Sequence, residues 1–373
     1  MSRRKSMPLW LSCVLIIVIV CAYFYWKTDG FKQPINQNGD KEDPSVFDQL
    51  PDGGNGRLNI YFLDVGQGDC IIIEFPDNKT MIIDSGNNWT SCEEKIDEFA
   101  QKLNITRFDY MLLTHADADH VGSFDHVFRQ YEVGKVFRPN VLSTHSSASN
   151  LNEGVNVGFS NKEGGKESET KAYYDFLYCM QEEGCEWEVF NKDSDFSGSC
   201  TIDNQEYSYV FDFLTPVASK DQIKYKDAND YSPIVSLTYN DVVVLLTGDA
   251  ETEMEQEFMN YYSGRYPDCD LLKVGHHGSA TSTSQGFINA VKPQYAVIQC
   301  GVTEKYMHPR QSVLDRLNGA GCSRYRTDKN GDIAVSIGND AEYSFTSGSI
   351  FCTNINIADN LIGGDTYFYQ QQQ

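Results

Sequence analysis

The sequence predicts an α/β fold of the αββα kind, in which two packed β-sheets carry helices on both outer faces. Strand-like apolar runs alternate with helix-like stretches from about Arg57 onwards. Paired, hairpin-like runs occur in both halves of this region, which indicates two sheets rather than one. We find no internal repeat, so a repeat protein is excluded.

The first half of this region contains four predicted strands and two helices. A Gly-rich turn, Gly66-Gln67-Gly68, separates the first two strands, "LNIYFLDV" and "CIIIEF". "TMIIDSG" and "YMLLTH" are further strands, and "CEEKIDEFAQKLN" between them has helical spacing. Another helix is expected from Asp119. The segment Leu142 to Glu169 has no periodicity and is rich in Ser, Asn and Gly, so it predicts a surface loop.

The second half repeats the alternation. "TKAYYDFLYCMQEEG", "AETEMEQEFMNYYSG" and "SVLDRLNGAG" predict helices that end at glycine. "PIVSLTY" and "DVVVLLTGD" predict a hairpin that turns at Asn240, and "DIAVSIGNDAEYSF" predicts a second hairpin. The remaining predicted strands are "CEWEVF", "YVFDFLTP", "DLLKVG" and "YAVIQC".

The N-terminus predicts a membrane anchor. Met7 to Trp26 contains no charged residue and is about long enough to cross a ~30 Å hydrocarbon core. Basic residues precede it, which predicts a cytoplasmic tip at 1–6 and an extracytoplasmic remainder. A cleaved signal peptide, giving a secreted protein, is the alternative. We expect a linker at 27–56, one catalytic domain at 57–352 and a tail at 353–373.

The net charge of the chain restricts its binding partners, and its cysteines leave a disulfide open. The formal net charge is −23, and the only charges before Lys27 are three basic residues, so the remainder carries −26. Such a surface disfavours broad binding to phosphate backbones. Nine cysteines follow the apolar segment. Cys179 and Cys185 could form a disulfide or remain ordinary thiols.

Residues that commonly bind metals follow three predicted strands. A dense cluster from His115 to His120 follows "YMLLTH", Asp249 ends "VVVLLTGD", and a histidine pair follows "LLKVG". Imidazole and carboxylate together suit zinc, manganese or iron. Each group alone has an ordinary explanation, such as a helix cap or an exposed histidine. Together they predict a dinuclear centre. Its candidate ligands are His115, Asp117, Asp119, His120, Asp249, His276 and His277.

Short motifs follow one another along the chain in the order "DVGQGDC", "MIIDSG", "LLTHADADHVG", "LLTGD", "LLKVGHHGS", "HP" and "RTDKNGDI". This series resembles the metallo-β-lactamase-fold domain of ComEC-type competence proteins. The resemblance implies the αββα sandwich and a two-metal site in which Asp249 bridges the ions. One of His276 and His277 would be the last ligand, with strand length slightly favouring His276.

The resemblance also implies roles around the metals. Asp84 would orient the cluster, Asp119 would be both ligand and catalytic residue, and His308 would donate a proton or bind substrate phosphate. Many members of the wider fold carry a further histidine, whose place here is closer to Asn229-Asp230. One metal site would therefore be weaker. Asp69 could line the same edge, and Lys273 is expected to be structural.

These features predict a hydrolase that uses two divalent metal ions, zinc or alternatively manganese, and a metal-bridging hydroxide. The expected substrate is a phosphoester, either a small head group or DNA. The expected activity is that of a phosphodiesterase or nuclease at the membrane. The alternative is a non-catalytic, accessory metal-binding module of a DNA-uptake or cell-envelope system. The sequence implies contact with the membrane through one N-terminal helix and identifies no stable protein partner.

Overall fold

The computed structural model describes residues 56–143, 167–168, 170–202, 204–220, 223, 225–265, 269–302, 306–338, 343–347 and 350–352. The predicted anchor Met7 to Trp26 and the tail 353–373 lie outside these residues, as does nearly all of the linker 27–56. In the described part of the chain, no helix is both long and apolar enough to cross a membrane.

Two large sheets dominate the described residues. The larger has nine strands: β1 (Leu58–Phe62), β2 (Ile71–Glu74), β3 (Thr80–Ile83), β4 (Arg107–Leu112), β5 (Glu132–Arg138), β8 (Glu186–Val189), β16 (Ile333–Ile337), β17 (Tyr343–Ser347) and β18 (Ile350–Cys352). The smaller has seven: β9 (Phe196–Ile202), β10 (Gln205–Phe213), β11 (Val235–Tyr239), β12 (Val242–Leu246), β13 (Leu271–Lys273), β14 (Tyr295–Ile298) and β15 (Ser323–Arg326). Their spatial orders are β18-β17-β16-β1-β2-β3-β4-β5-β8 and β15-β14-β13-β12-β11-β10-β9.

Successive side chains along a strand point to opposite faces of its sheet, and this alternation places the sheets in a sandwich. Leu58, Ile60 and Phe62 on β1 belong to one buried cluster with residues of β11 and β12, such as Leu237 and Val244. The intervening side chains of β1 and its extension turn to the helical side of the sheet. The predicted α/β sandwich is confirmed, because each sheet has one face on the other sheet and one face under helices.

Helices cover both outer faces. Their bounds are α1 (Thr90–Lys102), α2 (Ala118–Val121), α3 (Phe124–Gln130), α4 (Lys171–Glu183), α5 (Thr252–Tyr262), α6 (Gln285–Val291), α7 (Gln311–Gly319) and α8 (Thr327–Asn330). On the larger sheet, Phe99 of α1 and Phe176 of α4 join the core under the strands. On the smaller sheet, Ile288 of α6 and Leu317 of α7 pack against Ile298 of β14.

Several local predictions need correction. The helix expected from Asp119 is two helices, α2 and α3, with a break at Gly122-Ser123. The loop expected at Leu142 to Glu169 contains a short parallel pair, β6 (Leu142–Ser143) and β7 (Glu167–Ser168). Of the two alternatives left open for Cys179 and Cys185, the structure has the free thiols and not the disulfide. The predicted β11–β12 hairpin is present, and its turn places Asn240 and Asp241 at φ of 48° and 64°, as a two-residue hairpin turn requires.

Parallel pairing determines where the site forms. β3, β4 and β5 are parallel neighbours in one sheet, and β12, β13 and β14 are parallel neighbours in the other. The carboxyl ends of parallel strands meet at one edge of a sheet. The segments after β3, β4, β12 and β13 contain the predicted ligands, so both sheets contribute to a single rim.

Candidate metal centre

Three imidazoles share one arrangement at this rim. Each uses Nδ1 for a hydrogen bond: His120 to Asp84 Oδ2 at 2.7 Å, His277 to the carbonyl oxygen of Gln299 at 2.9 Å, and His115 with Ser232 Oγ at 3.2 Å. Each Nε2 is buried and makes no hydrogen bond with any described residue. Outer hydrogen bonds of this kind fix the ring so that the second nitrogen is available to a metal.

The carboxylates of Asp249 and Asp119 face these Nε2 atoms. Asp249 Oδ2 lies 3.3 Å from His120 Nε2 and 3.4 Å from His277 Nε2. Asp119 Oδ2 lies 3.5 Å from His277 Nε2. Four compact sets of donor atoms occur among the described residues, with all atoms of each set within 4.8 Å of one another. They are His115, His120 and Asp249; Asp119, His120 and His277; Asp69, Asp84 and His120; and Asp69, Asp249 and His277.

Asp84 holds this cluster in place. It follows β3 with φ 55° and is fully buried. Its carboxylate accepts hydrogen bonds from the backbone N–H of Thr114 at 2.8 Å and the hydroxyl of Thr114 at 2.7 Å, in addition to His120. The end of β3 is thereby tied to the end of β4, and the His120 ring is oriented toward Asp249.

A buried ion pair between Lys273 and Asp69 lies beside the candidate ligands. Lys273 has no exposed surface, and its ammonium contacts Asp69 Oδ2 and donates to the carbonyl oxygen of Gly248 at 2.9 Å. The same ammonium lies 3.9 Å from Asp249 Oδ1. Lys273 is therefore part of the site's charge balance. The sequence signal for this role was a lysine in a buried strand that ends in ligand-type residues.

Three predicted site residues lie at the margin. Asp117 has a half-exposed side chain whose Oδ2 is 3.9 Å from His115 Nε2. His276 Nε2 is 3.8 Å from Asp249, while its Nδ1 pairs with Glu251 at 2.7 Å. The His308 ring lies 5.4 Å from that of His276. None of the three belongs to the compact donor sets found among the described residues. Of the histidine pair, the structure thus brings His277, rather than His276, into the cluster.

A local twist of the backbone separates the two histidines. His276 and His277 have φ of 44° and 52°, within a short 3-10 turn after β13. Residues in this left-handed region do not follow the alternation of an extended strand. Strand register therefore could not identify the buried partner. Asn229, near the place of the missing histidine, lies 3.4 Å from His276 Nδ1 and also contacts Glu251.

The buried charges shift one another's pKa values strongly. Burial would raise the pKa of Asp249, but His120 and the histidine pair outweigh burial and hold that pKa well below its usual range. Burial would lower the pKa of His277, yet Asp249 and Asp69 raise it to about 10. By contrast, burial and the neighbouring positive imidazoles lower the pKa of His308 to about 4.

These observations fit a divalent cation. The inward-facing Nε2 atoms and Asp249 Oδ1 are buried polar atoms without hydrogen-bonding partners in the described part of the chain, and such atoms are costly unless they bind something. Imidazole and carboxylate are the ligands that zinc and manganese accept. A metal bound by these nitrogens and carboxylates would supply the partners that they lack, and its binding would compete with protons for the same atoms.

The two packed sheets with helices outside, and a ligand-rich rim at the ends of their strands, are the metallo-β-lactamase fold. Residues 63–145 match the model of the Metallo-beta-lactamase superfamily. More specifically, the chain is similar to ComE operon protein 3 of Bacillus subtilis (28% identity) and Competence protein ComA of Neisseria gonorrhoeae (26% identity). Each match covers 74% of this chain and 32% of the relative. The resemblance to ComEC-type competence proteins is confirmed.

The chain therefore spans about a third of the length of the curated relatives it matches. A solved structure of a metallo hydrolase from the archaeon Ignicoccus hospitalis aligns over 74% of this chain and 98% of its own, at 13% identity and a TM-score of 0.41.

Proposed function

We propose that this chain hydrolyses phosphoester bonds, as a phosphodiesterase or nuclease, with two divalent metal ions, zinc or alternatively manganese. We further propose that an uncleaved helix at Met7 to Trp26 holds the domain at the outer side of a membrane, with secretion after signal cleavage as the alternative. The substrate is either a small head group or DNA.

One observation carries the proposal. The Nε2 atoms of His115, His120 and His277 are buried and lack hydrogen-bonding partners among the described residues. Those of His120 and His277 lie 3.3 and 3.4 Å from the carboxylate of Asp249, and His115 has a ring nitrogen within 4.8 Å of it. A purely structural cluster would be expected to satisfy such atoms internally. An arrangement that leaves three of them available is typical of a ligand set.

Different side chains of the site would have different roles in the reaction. The three imidazoles, Asp119 and Asp249 would hold the ions, which when bound lower the pKa of water and polarise a phosphoryl oxygen. Asp84 keeps the His120 ring in position. His308, whose ring lies 5.4 Å from that of His276, would donate a proton to the leaving group or bind the substrate phosphate.

Overall charge bears on the substrate. The chain carries a net charge of −23, which repels a long polyanion and weakly favours a small phosphoester. A DNA substrate would require local cationic contacts, and its binding would weaken steeply as the salt concentration rises. Measuring DNA affinity at two salt concentrations distinguishes these substrates.

The proposed activity can be tested on the purified full-length chain. Metal content is determined first, and the chain is then assayed with zinc or manganese on bis(p-nitrophenyl) phosphate, p-nitrophenyl phosphate, DNA, p-nitrophenyl acetate and a β-lactam. We expect turnover of a phosphoester that His120→Ala abolishes. His126→Ala is the matched control, because His126 pairs with Asp97 at 3.0 Å outside the site.

Two outcomes would redirect the proposal. Turnover of only the acetate or the lactam overturns the substrate class. Stoichiometric metal without any turnover favours the accessory metal-binding module instead.

A further inference from the structure

Exposed apolar side chains cluster beside the metal centre. Seven large hydrophobic side chains are exposed among the described residues, and four of them form what we name the apolar rim: Trp89 (51% exposed), Val302 (84%), Tyr306 (45%) and Met307 (60%). Exposed apolar residues scattered singly need no explanation, but a cluster next to a site does.

Contacts relate the members of the apolar rim to the loops around the candidate metal centre. A side chain at Gly66 would lie 3.8 Å from the Trp89 ring, and the backbone of Gly66-Gln67 packs directly against Gly301. Val302 follows Gly301. Tyr306 and Met307 precede His308, whose ring lies 5.4 Å from that of His276 and 6.4 Å from that of His277. These two members of the apolar rim therefore lie next to the mouth of the candidate metal centre.

Polar groups also surround the mouth. Asp117, beside His115, is half exposed. Glu251 pairs with His276 and accepts a hydrogen bond from the Thr281 hydroxyl. A substrate entering the mouth would therefore meet hydrocarbon as well as carboxylates and imidazoles. That combination fits a molecule with a charged head and an apolar substituent better than a uniformly charged chain.

We propose that the substrate is a lipid-linked phosphodiester, whose phosphoryl group enters the metal centre while its hydrocarbon chain lies on the apolar rim. This inference rests on the proposed phosphoester hydrolysis. A monoanionic lipid head group suits a chain of net charge −23 better than a polyanion does. The linker of 30 residues extends at most about 100 Å, so a domain tethered by the proposed anchor stays within reach of the bilayer.

The reaction is balanced without any further reactant. Water's oxygen forms a new P–O bond, one P–O ester bond breaks, and a proton from water passes to the released alcohol. No oxidant or second substrate is needed.

Binding of non-hydrolysable probes tests the apolar rim directly. Ethyl(methyl)-, butyl(methyl)- and hexyl(methyl)phosphinate have no P–O ester bond to break, carry the same single negative charge and differ only in hydrocarbon. Full-length chain in nanodiscs, loaded with zinc, is titrated with each by calorimetry. We expect affinity to rise about two-fold per methylene, roughly half the effect of complete burial, and so about 16-fold from ethyl to hexyl.

Two variants provide the comparison. In the double variant Val302→Ser/Met307→Ser the ethyl-to-hexyl difference falls below about three-fold, because the hydrocarbon loses its contact surface. Val210→Ser removes an exposed apolar side chain on β10, away from the site, and keeps the full difference.

Equal wild-type affinity for the ethyl and hexyl probes, or absence of binding by either, overturns the inference. So does tighter binding of an oligodeoxythymidylate with steep loss on added salt, which identifies a polyanion as the occupant. Chain-length-dependent binding without any hydrolysis of phosphodiesters counts against the proposed reaction and leaves the apolar rim supported.

Discussion

The carboxylate of Asp84 lies 2.7 Å from Nδ1 of His120, and this contact turns Nε2 of His120 toward Asp249. Asp84 is fully buried and also binds Thr114, so it cannot move without disturbing the strand ends around it. The pair is therefore the point at which the fold controls the geometry of the candidate ligands.

Asp84→Asn is expected to weaken zinc binding about 10- to 100-fold, because an amide orients the His120 ring less strongly than a carboxylate does. The measurement is a competition titration against a chromogenic chelator. Asp97→Asn, which removes a carboxylate from His126 outside the site, is the matched control and should leave zinc affinity unchanged. Equal affinities for the Asp84 and Asp97 variants would contradict the orienting role.

The two neighbouring histidines should differ in their effect on the metal. His277→Ala removes a buried Nε2 that faces Asp119 and Asp249, so we expect it to lower bound metal by at least about one equivalent or to weaken affinity more than 100-fold. His276→Ala, at a partly exposed ring paired with Glu251, should retain most of the metal. Metal analysis of both variants after dialysis decides between them, and the opposite ranking would assign the ligand to His276.

Much of this site could be predicted from the sequence, and the reasons are physical. Strand ends that carry ligand-type residues predicted which segments converge, because parallel strands of one sheet finish at one edge. The choice between His276 and His277 could not be predicted, since both lie in a left-handed turn that breaks strand register. Lys273 looked structural because the sequence does not show that its ammonium reaches Asp69 and Gly248.

Some strands of the fold could likewise be predicted from the sequence, and others could not. The apolar runs of β1 to β4 and of β11 to β14 are visible in the sequence. β5 ("EVGKVFR"), β9 ("FSGSCTI") and β15 ("SRYR") contain charged, Gly or Ser residues and were not predicted as strands. They form because neighbouring strands supply hydrogen-bonding partners, which is tertiary information.

The buried carboxyl group of Glu255 should make the stability of the chain depend on pH. It is buried on α5, accepts a hydrogen bond from the backbone N–H of Ser284 at 3.0 Å, and burial raises its pKa from 4.5 to about 7. Because the folded state holds the proton more tightly than the unfolded state, this residue's contribution is fully present below about pH 4.5 and is lost as pH rises through about 7.

Glu255→Gln removes that titration. The free energy of unfolding of the wild type relative to the variant should therefore fall by on the order of 2–3 kcal/mol between pH 4.5 and pH 8. Urea denaturation of both proteins at several pH values gives this difference, in which other titrating groups cancel. A constant difference across the range would show that Glu255 ionises normally.

There is no room for a side chain at Gly122, which lies at the break between α2 and α3. A side chain there would lie 2.3 Å from the backbone of Asn87 and Asn88, which cannot move freely. Gly122→Ala should therefore destabilise the chain by about 1–3 kcal/mol. Gly319→Ala, at the end of α7 with nothing within 4 Å, should be neutral or stabilising by up to about 1 kcal/mol. Thermal denaturation distinguishes the two, and equal midpoints would refute the close packing.

The account depends most on the claim that His115, His120, His277, Asp119 and Asp249 bind divalent ions. The direct test is calorimetric titration of zinc into chelator-stripped full-length chain, alongside Asp249→Asn and the control His126→Ala. We predict two bound equivalents for the wild type and His126→Ala, and loss of at least one equivalent for Asp249→Asn. Absence of zinc binding by the wild type, or identical binding by all three proteins, would contradict the claim.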